Sequence, residues 1–417
     1  MSSRPDHSQA TRVAIAPQRL PPWLVAVAMA AFLIRLASAF WLKAHPLEGN
    51  PDGAFISRDD YQYLLIGREI AASWEGASSG PTAALELHAY YYICAAASFI
   101  FGSMDLNILL VSVAAIGGVT VVATYRLARE IAPQNSLRIA ALLTAFQPAS
   151  VFWASVNYRD AHLALLLTVH LTILAKYING RYRRVPIGLL SLAVTAISVL
   201  RPWMGVTTVG ATVVVVLIGT GSRRTRNRRL AAALGLVITT VVAVNVFTRD
   251  RITNALDVQT IVLETRSGQG QRGAISSGFE GRPLWFRVVT TPLAMAASFV
   301  APFPFWRVSG VDTVHAINSV CNWFWYPFLG FAFVAWFEEL RRRPRLFGAL
   351  SIVVLMTTAP AAFSSFVGSP RTVAPAVPFL YCLAALGIRN ATSKIRVLYW
   401  EVTCLSAASG LYLLLAS

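Results

Sequence analysis

Two short acidic motifs lie beside apolar runs, where a charge is expensive to keep and is a functional candidate by default. Asp59 and Asp60 follow Arg58 and begin the amphipathic stretch 61–71, whose apolar residues recur at helical spacing. Asp160 follows Arg159 at the head of a long apolar run, where a helix N-terminus favours an anion. A purely structural alternative stays open for each motif, because these carboxylates could simply cap their helices and Asp160 could pair with Arg159.

Two arginines near the ends of other apolar runs predict a phosphate-binding site. Arg201 and Arg371 each lie near the end of such a run, next to or close to a proline. A guanidinium is planar, stays charged and binds two phosphate oxygens at once. The alternatives are that these side chains extend to the membrane surface or pair with a carboxylate.

An aromatic run around Tyr91 would form a membrane-interface belt, or contact a sugar face or a lipid tail.

The composition indicates that these residues belong to a membrane protein. Of 417 residues, 56% are apolar and only 13% are charged, and the mean hydropathy is +0.57. Soluble domains carry about 25% charged residues. The net charge of +17 would suggest nucleic acid in a soluble protein. Here the basic residues cluster in short links between apolar runs, which indicates cytoplasmic loops, and no nucleic-acid partner is expected.

Charge placement then fixes a topology. If the apolar segment 85–103 crossed the membrane, the arginine clusters at 181–184 and 223–229 would fall on the wrong side. The conflict disappears if 85–103 and 288–304 do not span but fold against the protein, where their backbone groups can be satisfied. We therefore predict an all-α polytopic membrane protein with about eleven transmembrane helices, its N-terminus in the cytoplasm and an amphipathic helix in the first outer loop, 43–84. The predicted spans lie near 22–42, 107–125, 138–153, 161–178, 186–200, 203–219, 230–247, 318–337, 346–363, 373–388 and 397–416.

This topology divides the chain into four parts. They are a cytoplasmic arm (1–20), a main helical module (21–247), an outer loop with a non-spanning segment (248–317) and C-terminal transmembrane helices (318–417).

The order of motifs resembles the GT-C superfamily of integral-membrane glycosyltransferases, in the branch of protein O-mannosyltransferases and lipid A aminoarabinose transferases. The resemblance begins with Arg58-Asp59-Asp60-Tyr61 in the first outer loop and continues with an aromatic segment that starts at His88 and ends in Phe-Gly. A Pro-containing helix leading to Arg159-Asp160 and a late Arg371 before a Pro-rich span complete it. The chain departs in having Asp-Asp where Asp-Glu is commoner, and in having no soluble C-terminal domain after its last span.

The resemblance implies a GT-C-like helix bundle and transfer of a sugar from a polyprenyl-phosphate donor to a glycan, lipid or protein acceptor. Asp59, Asp60 and Asp160 would be the catalytic carboxylates, with Asp59 or Asp60 as the base. The donor phosphate would be held by cations, namely Arg58, Arg159, Arg201 and Arg371. Tyr61, His88 and Tyr91 would contact sugar or lipid. Asp60 and Asp160 together would suit Mg²⁺ or Mn²⁺, although arginines alone could stabilise the phosphate.

Other functions stay open at this stage. A polysaccharide polymerase or ligase that uses undecaprenyl-diphosphate glycans has similar needs for arginine. A lipid-linked sugar transporter would show ionisable residues in mid-membrane and an internal repeat, and a structural subunit would not need acids and arginines on one face. The excess of arginine over lysine and the lack of organelle signals favour a bacterial inner membrane, with the site on its extracytoplasmic face.

Overall fold

The computed structural model describes residues 19–45, 58–76, 89–101, 106–182, 186–218, 223–247, 324–364 and 373–391, together with residues 285, 289 and 291. Within these residues all regular structure is helical. The α-helices are α1 (Pro22–Ala44), α2 (Arg58–Trp74), α3 (Ala89–Phe101), α4 (Leu106–Ile131), α5 (Gln134–Phe146), α6 (Pro148–Trp153), α7 (Asp160–Ile178), α8 (Ile187–Leu200), α9 (Pro202–Ile218), α10 (Arg223–Phe247), α11 (Tyr326–Arg342), α12 (Pro344–Ser364) and α13 (Val377–Asn390). A 3₁₀ turn, Ala374–Ala376, leads into α13.

The protein is a multi-pass membrane protein. In the described part of the chain, α1, α4 and α7 are long and apolar enough to cross a membrane, and several other apolar helices are shorter. The count of about eleven spans stays a prediction. The described part of the segment 85–103 is the 13-residue α3, about 20 Å long, which is less than the hydrocarbon thickness of about 30 Å. The predicted segments 288–304 and 397–416 lie outside the described helices.

The apolar run 138–153 is not the single membrane segment that the sequence predicts. The structure divides it into α5 and the short α6, which meet at Gln147 and Pro148. Proline has no N–H and its ring clashes with the preceding turn, so a helix ends or bends there. The Gln147 side chain accepts a hydrogen bond from Ser150 N at 3.0 Å and thereby caps α6.

The helices pack around α4. It contacts α1, α5 and α7, while α13 packs against both α5 and α11. Their facing surfaces form one large core that includes Leu110, Leu127, Leu163 and Phe347, all of them fully buried. Close packing of this kind fixes the relative positions of the helix ends.

The two ends of the bundle carry different charged contacts. At one end Arg181 pairs with Glu130 at 3.0 Å, and Arg343 donates a hydrogen bond to Ile131 O at 2.7 Å. The predicted topology puts the 181–184 cluster in the cytoplasm, and the structure groups Arg181 with Glu130 and Arg343 at this end. The other end holds Asp160 and Arg201, and we call it the site end.

Candidate active site

Arg201 lies in a one-residue turn between two apolar helices. Leu200 ends α8 and Pro202 begins α9, and the residue before a proline favours extended backbone. Arg201 adopts such a conformation, with φ −150° and ψ 91°. Its N–H still donates to Ile197 O at 2.8 Å. The proline therefore stops α8 and turns the arginine side chain out of the helix register.

The central feature of the site is an ion pair between Arg201 and Asp160. Arg201 Nη2 lies 3.2 Å from Asp160 Oδ1, and the two side chains are 6% and 0% exposed. Asp160 occupies the first turn of α7, where the helix dipole favours a carboxylate. The Arg201 guanidinium also lies 5.3 Å from the centre of the Trp203 ring, a cation–π distance. A buried charge pair of this kind is expensive to desolvate, so it needs a reason beyond stability.

Arg159 joins the pair from the preceding residue. Its Nη1 donates to Leu200 O at 3.0 Å, which ties the start of α7 to the end of α8. Among the described residues, its buried Nε has no hydrogen-bond partner. The alternative in which Asp160 pairs with Arg159 is not seen among the described residues, where Asp160 pairs with Arg201 and Arg159 keeps donor capacity for an anion.

Aromatic contacts link α2 and α3 to the segment around the start of α7. Tyr90 of α3 donates to Asn157 Oδ1 at 2.7 Å, and its ring packs edge-on against His162 at 5.4 Å. Tyr63 of α2 packs against Tyr90 with ring centres 4.8 Å apart. α2 begins at Arg58, so the backbone of its acidic first turn lies about one helical turn before Tyr63 in the same helix. The predicted acidic helix is thus connected through α3 to the segment that carries Asp160.

A cavity of about 70 Å³ lies beside Asp160 and among α1, α4, α5 and α6. Its polar lining includes Arg35, Thr120, Thr144, Ser150 and Asp160, and most of the rest is alanine. Sequence reasoning missed Arg35, which is 1% exposed in α1. The signal was present, since a single arginine within an apolar membrane run is a functional candidate by itself.

The structure therefore brings Arg159, Asp160 and Arg201 together at the site end. Arg58, Asp59, Asp60 and Tyr61 form the first turn of α2, and only their backbone is described. Tyr91 is half-buried and packs against Tyr63 at 5.4 Å. His88 and Arg371 lie outside the described residues.

The predicted metal site is not formed by the described side chains alone. Among them, no group of three His, Cys, Asp or Glu residues could hold a metal ion. Asp160 already faces a cation, Arg201, which does not fit a second cation on the same oxygen. Binding of Mg²⁺ or Mn²⁺ by Asp60 and Asp160 stays a prediction.

No protein-family model matches the sequence, and no curated protein matches it. The fold, however, is similar to that of ArnT from Cupriavidus metallidurans, solved with undecaprenyl phosphate. That match has a TM-score of 0.58 at 17% identity and covers 94% of this chain and 64% of ArnT. The chain therefore shares the overall fold of ArnT.

A weaker match is the archaeal oligosaccharyltransferase AglB from Archaeoglobus fulgidus, solved with an inhibitory peptide and a dolichol-phosphate. Its TM-score is 0.47 at 14% identity, and it covers 94% of this chain and 55% of AglB. The chain thus spans less than two thirds of the length of either protein. At 17% identity the match to ArnT shows a shared fold and leaves the reaction to the site residues.

Proposed function

We propose that this protein is a membrane glycosyltransferase that moves a sugar from a polyprenyl-phosphate donor to an acceptor hydroxyl. The site would face the extracytoplasmic side of a bacterial inner membrane. The observation that carries this proposal is the buried Asp160–Arg201 pair, flanked by Arg159, at one end of a GT-C fold. The structure of ArnT with undecaprenyl phosphate supports the choice of donor class.

The arginines meet the first demand of this reaction. During transfer, the acceptor oxygen forms a bond to the anomeric carbon while the bond from that carbon to the phosphate oxygen breaks. The phosphate leaves with the electron pair, and its negative charge grows. Positive groups fixed in a poorly hydrated site stabilise such a charge strongly. Arg159 has a free donor for it, while Arg201 is held in place by Asp160.

A carboxylate meets the second demand. The acceptor hydroxyl must lose its proton as the new bond forms, and a carboxylate within hydrogen-bonding distance can take it. We assign this role to Asp59 or Asp60 in the first turn of α2. Asp160 then orients Arg201, because a carboxylate already paired with a cation is a poor base. Arg58 and Arg371 would add to the phosphate site, while Tyr61, His88 and Tyr91 would contact sugar or lipid.

Binding of undecaprenyl phosphate by the purified protein tests the proposal. The Arg159→Gln variant should bind this lipid about tenfold or more weakly, because a charge-assisted contact contributes about 1.5–3 kcal/mol. The control is Arg181→Gln, which removes an arginine at the opposite end of the bundle, where it pairs with Glu130. It should bind the lipid as the wild type does.

Mass spectrometry of the lipids that co-purify with the protein gives the donor class. A polyprenyl phosphate carrying a sugar, retained by the wild type and lost in Arg159→Gln, would support the transferase. A diphosphate-linked oligosaccharide would instead favour the polymerase or ligase. Equal binding by wild type, Arg159→Gln and Arg181→Gln would overturn the phosphate site.

A further inference from the structure

Arg35 is a charged residue fully buried within the apolar helix α1. Its guanidinium donates three hydrogen bonds, all to backbone carbonyls: Ala31 O at 3.0 Å, Ala145 O at 2.8 Å and Thr144 O at 2.7 Å. Among the described residues no carboxylate pairs with it. Its charge is therefore balanced by peptide dipoles, and two of the three lie in the last turn of α5.

These carbonyls need an outside donor because of Pro148. In a continuous helix the N–H of residue 148 would bond to Thr144 O, but proline has none. The carbonyls in the last turn of any helix also lack partners within the helix, and their dipoles favour a cation. Arg35 satisfies both requirements and so fixes the point at which α5 ends and α6 begins.

Gly117 of α4 provides the space in which Arg35 reaches this point. A Cβ atom at position 117 would lie 2.5 Å from Arg35 Cδ, 2.6 Å from Arg35 Nε and 2.8 Å from Ala154 Cβ. Ala154 in turn packs in a small cluster with Val113 and Ala161. A continuous series of tight contacts thus runs from Arg35, across Gly117 and Ala154, to the residue next to Asp160.

We propose that Arg35 and Gly117 are positioning residues: they hold the α5–α6 break so that the following turn presents Asp160 to Arg201. Because Arg35 and Asp160 line the same cavity, a substitution that shifts Arg35 should also shift the packing around Asp160. The catalytic consequence rests on the proposed transferase function. The structural consequence, a fixed turn at Asp160, can be measured without it.

The test compares Arg35→Met, which removes the donors at similar length, with Arg35→Lys, which keeps a cation. Arg35→Met should lower kcat for sugar transfer about 100-fold, since misplacement by about 1 Å can have that effect. The donor KM should stay within about threefold, because the phosphate arginines are untouched, and Arg35→Lys should restore part of the rate. Gly117→Ala should act in the same direction, and its effect should not add fully to that of Arg35→Met.

A second readout does not depend on activity. With the four native cysteines replaced by alanine, a cysteine at buried Ala161 should react slowly with a maleimide. Arg35→Met and Gly117→Ala should each speed its labelling about tenfold or more, as expected for local opening. The control variants are Gly188→Ala, where an added Cβ meets nothing within 4 Å, and Thr212→Val, which removes a buried hydrogen bond to His170 elsewhere. Both should label slowly.

The outcomes separate the two proposals. If the wild type transfers no sugar but Arg35→Met and Gly117→Ala expose position 161, the transferase is wrong and the positioning role stands. Wild-type kcat together with wild-type labelling in either variant would overturn the positioning role. So would equal acceleration of labelling in Thr212→Val, because the effect would then be general loosening of the bundle. If Arg35→Met does not insert, Gly117→Ala alone decides by the same criteria.

Discussion

Of the charged side chains that are buried among the described residues, three lie together near the site: Asp160, Arg201 and Arg35. Asp160 and Arg201 neutralise each other at 3.2 Å, whereas Arg35 is balanced by carbonyl dipoles. Replacing a buried ion pair by apolar residues is often neutral or stabilising, while removing one partner is strongly destabilising. The cost of keeping a charge pair at this depth is the reason for proposing that it serves binding or catalysis.

This difference gives a prediction for the pair. Arg201→Gln should lower the free energy of unfolding by about 3 kcal/mol, because Asp160 loses its cation within the bundle. The double variant Asp160→Asn, Arg201→Gln should regain most of that loss, since neither side chain is then charged. Thermal unfolding in detergent measures the stability, and sugar transfer measures the function. The double variant should remain inactive; recovery of transfer together with stability would show that the pair is only structural.

The first-loop acids carry a separate prediction. Asp59→Asn and Asp60→Asn should each be inserted normally, because both residues lie in the first turn of α2, in the predicted outer loop and not in a predicted span. At least one of the two should lose sugar transfer by a factor of about 100 or more, as expected for removal of a general base. Undecaprenyl-phosphate binding should be retained in both. Full transfer by the double variant Asp59→Asn, Asp60→Asn would exclude a base at this position.

At this scale the sequence predicts the identity of the charged residues better than their partners. Arg159, Asp160 and Arg201 are recognisable because charges are rare in an apolar chain. Which arginine pairs with Asp160 was not predictable, because Arg201 is 41 residues away and meets it only through the packing of α7 and α8. Arg35 was missed because it lies inside an apolar run rather than at its end.

Among the elements, the α8–α9 hairpin sets the position of Arg201. The two helices cross so closely at Gly205 that an added Cβ would overlap Ser198 of α8. Gly210, one and a half turns further along the same helix, has nothing within 4 Å of an added Cβ. The two glycines thus offer a matched comparison on one helix.

Gly205→Ala should separate α8 from α9 and move Arg201 away from Asp160. We expect a loss of about 1–3 kcal/mol in stability from overpacking and a clear fall in sugar transfer. Gly210→Ala should have wild-type transfer and equal or slightly higher stability, because alanine is the better helix former. Melting temperature and initial transfer rates measure both effects. Similar behaviour of the two variants would mean that the hairpin spacing does not control the site.

The helix boundaries show where sequence patterns stop being informative. Apolar runs predicted α1, α4 and α7 well, because each is a long helix with polar ends. The run 138–153 looked equally continuous, yet the structure breaks it at Pro148. Hydropathy does not register a missing N–H group, and the donors that stabilise the break, Arg35 and Tyr381, come from helices far away in sequence. Tyr381 of α13 donates to Gln147 Oε1 at 2.8 Å.

For the whole molecule, charge placement and helix packing agree on which residues share an end of the bundle. Glu130, Arg181 and Arg343 come from three separate parts of the chain and form contacts with one another or with neighbouring backbone. The Asp160–Arg201 pair lies at the site end. Helix packing determines which residues share an end of the bundle. Which end faces the cytoplasm is inferred separately, from the positive-inside rule.

Orientation can be tested with single cysteines in a background that lacks the native four. Glu75 lies just beyond α2, in the predicted first outer loop, and Asn135 lies at the start of α5, at the end that the predicted topology puts in the cytoplasm; both are exposed. In intact cells an impermeant maleimide should label Glu75→Cys and leave Asn135→Cys unlabelled until the membrane is permeabilised. This result follows if the arginine clusters remain in the cytoplasm, and it would place the Asp160–Arg201 pair where a donor already carried across the membrane could reach it. The reverse pattern would put the site in the cytoplasm, so that the donor would be used on the side where activated sugars are made.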